Sequence, residues 1–140
     1  MPTGAYRVTQ EDLDQRKKYL EILPEDEDRL RGAHALLQRH ATFIIDRFYE
    51  YLFAHEHTRK ILEAPGLVDR LKKMQAQYFS ELTSGHYDVA YCENRVRVGL
   101  AHDRIGLSPE WYLGAYVKYL HISSDVLRQG FGQDYEGFYR

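Results

Sequence analysis

Residues 95–116 read RVRVGLAHDRIGLSPEWYLGAY, a run that sets one imidazole, His102, in an apolar stripe ahead of a Gly-Leu-Ser-Pro break and a group of aromatics. An imidazole among apolar neighbours is costly unless another group takes its proton or its lone pair. One answer is a core histidine hydrogen-bonded to a neighbour. The other is a metal ligand, because neutral imidazole is the commonest metal-binding side chain. A protein-only zinc site needs several convergent ligands. The stripe neighbours of His102, namely Val98, Gly99, Ile105 and Gly106, supply none. A planar macrocyclic iron complex asks for less: it brings its equatorial ligands and needs one axial donor beside a flat apolar slot.

The remaining candidates are weaker. His55-Glu56-His57 is a metal-like fragment, but it stands in a polar connection without further ligands. His34 and His40 fall on different helix faces, and His121 lies beyond the aromatic run. Arg95, Arg97 and Arg104 flank His102 and could meet acidic groups of a bound cofactor, although arginines on a helix face are more often simply solvated. The single Cys92 rules out an intrachain disulfide and reads as a small core residue.

The elements that must hold His102 read as helices. Thr9 is a cap for a short polar helix over residues 10–20. Pro24 opens a second helix with acidic residues in its first turn, as the helix dipole favours. Ile44, Ile45, Phe48, Tyr49 and Leu52 share one face of a third. AHEHTRKILEA is a short helical connection closed by Pro65-Gly66. Leu67, Leu71, Met74, Tyr78 and Leu82 then repeat at helical spacing up to Ser84-Gly85. Tyr91, Arg95, Val98, His102 and Ile105 line the next helix, which Gly106 stops. Ser108-Pro109 starts one more, running to about residue 128, where QGFGQ is expected to break it.

Length and composition suit this all-α reading. The chain has 140 residues, enough for one domain with a real core, and its 12 Tyr and 6 Phe make that core largely of flat rings. A net charge of −2 gives no general attraction to nucleic acid or to an anionic membrane. No apolar run approaches the roughly 18 residues that span a bilayer. Without a signal-like start, a cytoplasmic location is the expectation.

The motif His-x-Arg-Ile-Gly-Leu-x-Pro-x-Trp-Tyr, beginning at His102, resembles the proximal segment of the globin-coupled sensors, the haem-binding globin domains of bacterial signalling proteins. DQRKKYLEILPEDEDRLRGAHALLQRHATFIIDRFYEYL is similar to that family's first helices, and GLVDRLKKMQAQYFSELTSG to its distal helix. The resemblance implies a globin fold in its sensor variant, carrying haem b (iron protoporphyrin IX), with residues 1–22 as an N-terminal extension and short helix. It implies His102 as the proximal iron ligand and Tyr49 as the distal hydroxyl that donates to a bound gas. Phe48, Leu71, Met74, Tyr78, Val98, Ile105, Trp111 and Tyr112 would line the haem. At Met74 a gap-filling side chain is the first expectation and a sixth, thioether ligand the second.

The family's function follows as an expectation: a gas sensor, not an enzyme, binding dioxygen or else carbon monoxide or nitric oxide. It would act as a homodimer through its last helices and relay to an output domain. Residues 133–140 read as the truncated start of the final globin helix, so most of that helix is absent from the sequence and association should cover the face it would bury. The alternative is a haem-free globin-like scaffold of a stress-signalling protein, which would have no reason to keep both His102 and Tyr49. Dioxygenase or peroxidase chemistry ranks last, for want of a second acid–base group.

Overall fold

The computed structural model of the chain describes residues 7–132, and every regular element among them is a helix. The seven are α1 (Gln10–Tyr19), α2 (Pro24–Arg39), α3 (Ala41–Ala54), α4 (Glu56–Leu62), α5 (Leu67–Leu82), α6 (Val89–Arg104) and α7 (Pro109–Phe131). None is long and apolar enough to cross a membrane.

Local chemistry sets most of the boundaries. Thr9 and Asp12 form a reciprocal capping box at the start of α1. Pro24 and Pro109 occupy the first positions of α2 and α7, where a missing N–H costs nothing. Gly106, at φ 71°, turns the chain between α6 and α7 in a conformation that a side chain would resist.

The core lies where α3 packs on α5 and α7, with α2 closing it from the side. Ala33, Leu37, Ile44, Ile45, Phe48, Tyr49, Leu62, Phe79, Tyr119 and Val126 are buried there. Phe79 and Ile44 are the largest side chains shut off completely. Burying a side chain of that size contributes about 1.5–3 kcal/mol. The helix that carries His102 is different. No side chain of α6 is fully buried, and α1 is the helix that approaches its backbone most.

Two sequence expectations need correction. The helix after Pro109 does not break at QGFGQ; it runs through Gly130 to Phe131 and ends at Gly132, φ 56°. Gly130 is there for packing, since a Cβ would lie 2.2 Å from Leu36 Cδ2 of α2. Close approach of the two helices outweighs the roughly 1 kcal/mol propensity cost of a mid-helix glycine. Cys92 is half-buried rather than in the core, and it lines an apolar cavity of about 590 Å³ with Leu13 and Leu30, at the end of α6 remote from His102. The segment 133–140, expected to begin a last helix, lies outside the described residues.

Candidate functional site

His102 sits in the last turn of α6, half-buried, with Nδ1 2.8 Å from the backbone oxygen of Val98. A carbonyl can only accept, so Nδ1 carries the proton, and the tautomer with this bond has its lone pair on Nε2. That tautomer can take a metal at Nε2, with the second ring nitrogen anchored. The ring is also held edge-on by Tyr112 of α7, at 4.9 Å between centroids and 64° between planes. Helix geometry puts the Val98 carbonyl one turn below the ring; the Gly106 stop and Pro109 start fold α7 back so that Tyr112 reaches it.

Tyr49 is buried on α3, edge-on to Phe48 at 5.7 Å. Its hydroxyl makes no hydrogen bond among the described residues. Burial pushes its pKa up to about 12, so at neutral pH the phenol keeps its proton and can donate it in a hydrogen bond. Phe48 is buried against Tyr119, 4.4 Å between centroids. Leu71 is half-buried and packs on the core from α5.

Tyr78, also on α5 and half-buried, touches the hydroxyl of Tyr116 and lies under the Arg95 guanidinium at 3.9 Å. Tyr112 completes the set by donating to Tyr116 across 3.4 Å. Burial raises the pKa of both Tyr112 and Tyr116.

Three predicted residues stand apart. Met74 is 62% exposed, so it fills no gap in the described fold. Ile105, the residue that caps α6, is 56% exposed. Trp111 stacks on His57 of α4 at 4.5 Å and 13°, not on His102. That stacking also accounts for His57, while His55 meets Tyr51 at 4.6 Å. Among the described residues no group of three His, Cys, Asp or Glu side chains could hold a metal ion.

The sequence reading missed one polar pair. Gln75 Nε2 donates to Tyr119 Oη at 3.1 Å, placing an amide and a second buried phenol next to the Phe48–Tyr49 side of the core. Burial drives the Tyr119 pKa far above its ordinary value, with Gln75 opposing and Tyr49 adding to the rise. The available signal was Gln75 one turn after Leu71 on the same helix.

The residues present fit a haem. A single imidazole offers Nε2 beside its anchored Nδ1, a protonated phenol on a buried residue offers a hydrogen-bond donor, and the helix bearing the imidazole has buried no side chain of its own. An insertable planar group needs that last feature, because a fully interdigitated helix pair leaves no slot.

The chain matches the protoglobin family over residues 9–138. It is 36% identical, over 99 residues, to the haem-based aerotactic transducer HemAT of Halobacterium salinarum; the match spans 70% of this chain and 20% of the transducer. The fold superposes on the globin domain of the Geobacter sulfurreducens globin-coupled sensor with a TM-score of 0.80 at 24% identity, covering 86% of this chain and 80% of that one.

Proposed function

This chain belongs to the protoglobin family, and from that premise we propose that it is a sensor of a diatomic gas, dioxygen, through a haem ligated by His102. The observation that carries the reading is the Nδ1 hydrogen bond to the Val98 carbonyl, which fixes the ring and leaves Nε2 as its one lone pair. When bound, haem b supplies an iron centre with an open coordination position for a small gas. His102 holds it from α6, while Tyr112 limits rotation of the imidazole. Phe48, Leu71 and Val98 contribute apolar wall that keeps water away.

Tyr49 holds a proton that it can donate to a ligand carrying partial negative charge. Such a hydrogen bond contributes about 1.5–3 kcal/mol, so it favours dioxygen over the less polar carbon monoxide. Signal relay starts with movement of His102, which passes to α7 through Tyr112. Leu113, Val117 and Leu120 lie on α7 at intervals of four and three residues and are 62%, 51% and 64% exposed. That stripe supports a homodimer through the last helices, with an output domain beyond. A cytoplasmic location goes with this role.

An absorption spectrum of the protein reconstituted with haemin tests the reading. The expected result is a strong Soret band that His102→Ala abolishes while the helical circular dichroism stays. A wild-type chain that folds and takes up no haem would instead identify a haem-free scaffold.

A further inference from the structure

We propose that Arg95 is a positioning residue: clasped by α5, it fixes the rotation of α6 and so the direction in which His102 presents Nε2. The proposal rests on the haem-ligation reading above. It begins from an oddity of α6. A helix in a small domain is usually held by an apolar stripe that interdigitates with its neighbours. On α6, Val96 and Val98 are only half-buried and Leu100 is 40% exposed.

What ties α6 to α5 is a polar assembly. Arg95 Nη2 donates to Glu81 Oε2 at 3.0 Å, and Asn94 Nδ2 donates to the same oxygen at 2.9 Å. The guanidinium carbon lies 3.9 Å from the ring centroid of Tyr78 on α5 and 4.4 Å from that of Tyr91, one turn earlier on α6 itself. The side chain is only 16% exposed. Its Nε and Nη1 are buried without a hydrogen-bond partner among the described residues. A planar cation held by one carboxylate and two rings has one comfortable setting, because sliding it strands the Glu81 carboxylate and leaves the rings unfaced.

The clasp closes a circuit. From Arg95 the contacts pass to Tyr78 of α5, then hydroxyl to hydroxyl to Tyr116 of α7, and on to Tyr112. Tyr112 returns to α6 at His102. Arg95 and His102 are seven residues apart on one stripe, so two turns and roughly 10 Å of helix separate the two points of attachment. Turning α6 about its axis must break one of them. The clasp therefore sets the imidazole's aim, and it receives any strain that a ligand puts on His102.

The test uses the full chain, with Arg95→Met, Arg95→Lys and Glu81→Gln. In ferrous haem-loaded protein, resonance Raman reads the iron–histidine stretching band, and transfer to excess apomyoglobin reads haem loss. In haem-free protein, hydrogen exchange reads the amides of residues 98–107. Arg95→Met and Glu81→Gln should shift the band and speed haem loss about tenfold. Arg95→Lys keeps the charge without the planar fork and should fall between. An unmoved band in both variants overturns the proposal, even if their melting temperatures fall, since a merely structural role lowers stability without re-aiming the ring. Should Arg95→Met fail to fold, Glu81→Gln carries the same test. A wild-type chain that takes up no haem sinks the ligation reading instead. Exchange then decides the clasp, with faster exchange in Glu81→Gln supporting it and unchanged exchange ending it.

Discussion

Between α3 and its partners α5 and α7 the contacts are apolar and closed: Ile44, Phe48, Phe79 and Tyr119 are buried, and the rings of Phe48 and Phe79 both face Tyr119. Around α6 they are polar and specific, one guanidinium against two rings, one shared carboxylate and one imidazole edge. The first region pays for the fold and has no reason to move. The second is joined by contacts whose geometry is discrete, so it can shift between settings without unfolding the rest. Elements used for ligand response come from the less stable part of a domain. The helix bearing His102 is that part here.

Truncating each region separates them. Phe79→Ala should cost about 3–5 kcal/mol in urea denaturation of the haem-free chain, because a fully enclosed ring leaves a cavity. Val98→Ala should cost far less by the same measurement and yet weaken haem retention; equal losses would erase the distinction. Tyr49→Phe comes next. It removes a donor without a hydrogen-bond partner among the described residues, so stability should hold or rise while release of dioxygen quickens by roughly ten- to a hundredfold in stopped-flow measurements, the rate equivalent of about 1.5–3 kcal/mol. An unchanged release rate would take Tyr49 out of the site.

Gly85→Ala probes the joint between the regions, where the chain leaves α5 for α6. Gly85 has φ 70°, and a Cβ there would stand 2.4 Å from the Glu27 carbonyl oxygen. Thermal melts should show a loss of about 1–3 kcal/mol, set by a backbone neighbour that cannot swing aside.

The closed region was the more legible in the sequence. Ile44, Ile45, Phe48 and Tyr49 recur at helical spacing and are all buried, because core burial depends on one helix's own period; on α5 the stripe Leu67, Leu71, Met74, Tyr78 and Leu82 predicted the helix but not its buried residue, Phe79. The all-α class and the globin fold followed from those stripes and from the His102 motif. The circuit around α6 depended on how helices meet. Arg95 looked like one of three flanking arginines; its contact with Tyr91, one turn earlier on α6, follows from helical spacing, but only the register of α5 against α6 brings it to Tyr78 and Glu81. Trp111 belonged by pattern with Tyr112, yet adjacent helical positions point about 100° apart, and Trp111 turned to His57. Met74 shared a stripe with Leu71 and Tyr78 but faces out, since the stripe is wider than the surface α5 buries.

The smallest expected effect falls on α1, the helix that lies closest to α6. Thr9 Oγ1 accepts from the Asp12 N–H at 3.1 Å and donates to Asp12 Oδ2 at 2.9 Å, while the Thr9 N–H donates to the same carboxylate oxygen at 2.9 Å. The backbone hydrogen bond first, and the hydroxyl second, hold the Asp12 carboxyl below its ordinary pKa. A carboxylate depressed in the folded state stabilises it fully above the unfolded pKa, and the contribution disappears as pH falls through the folded value. Thr9→Ala should cost about 1 kcal/mol in melts near neutral pH. The gap between wild type and variant should narrow as pH falls through the lowered pKa of Asp12, below the ordinary carboxylate range. It should not close, because the Asp12 N–H still needs the threonine oxygen as its acceptor. If α1 steadies α6, amide exchange early in α6 should also quicken in Thr9→Ala, while exchange in α3 stays as it was. Equal changes in both helices would mean that the cap supports the whole domain, not the region that carries His102.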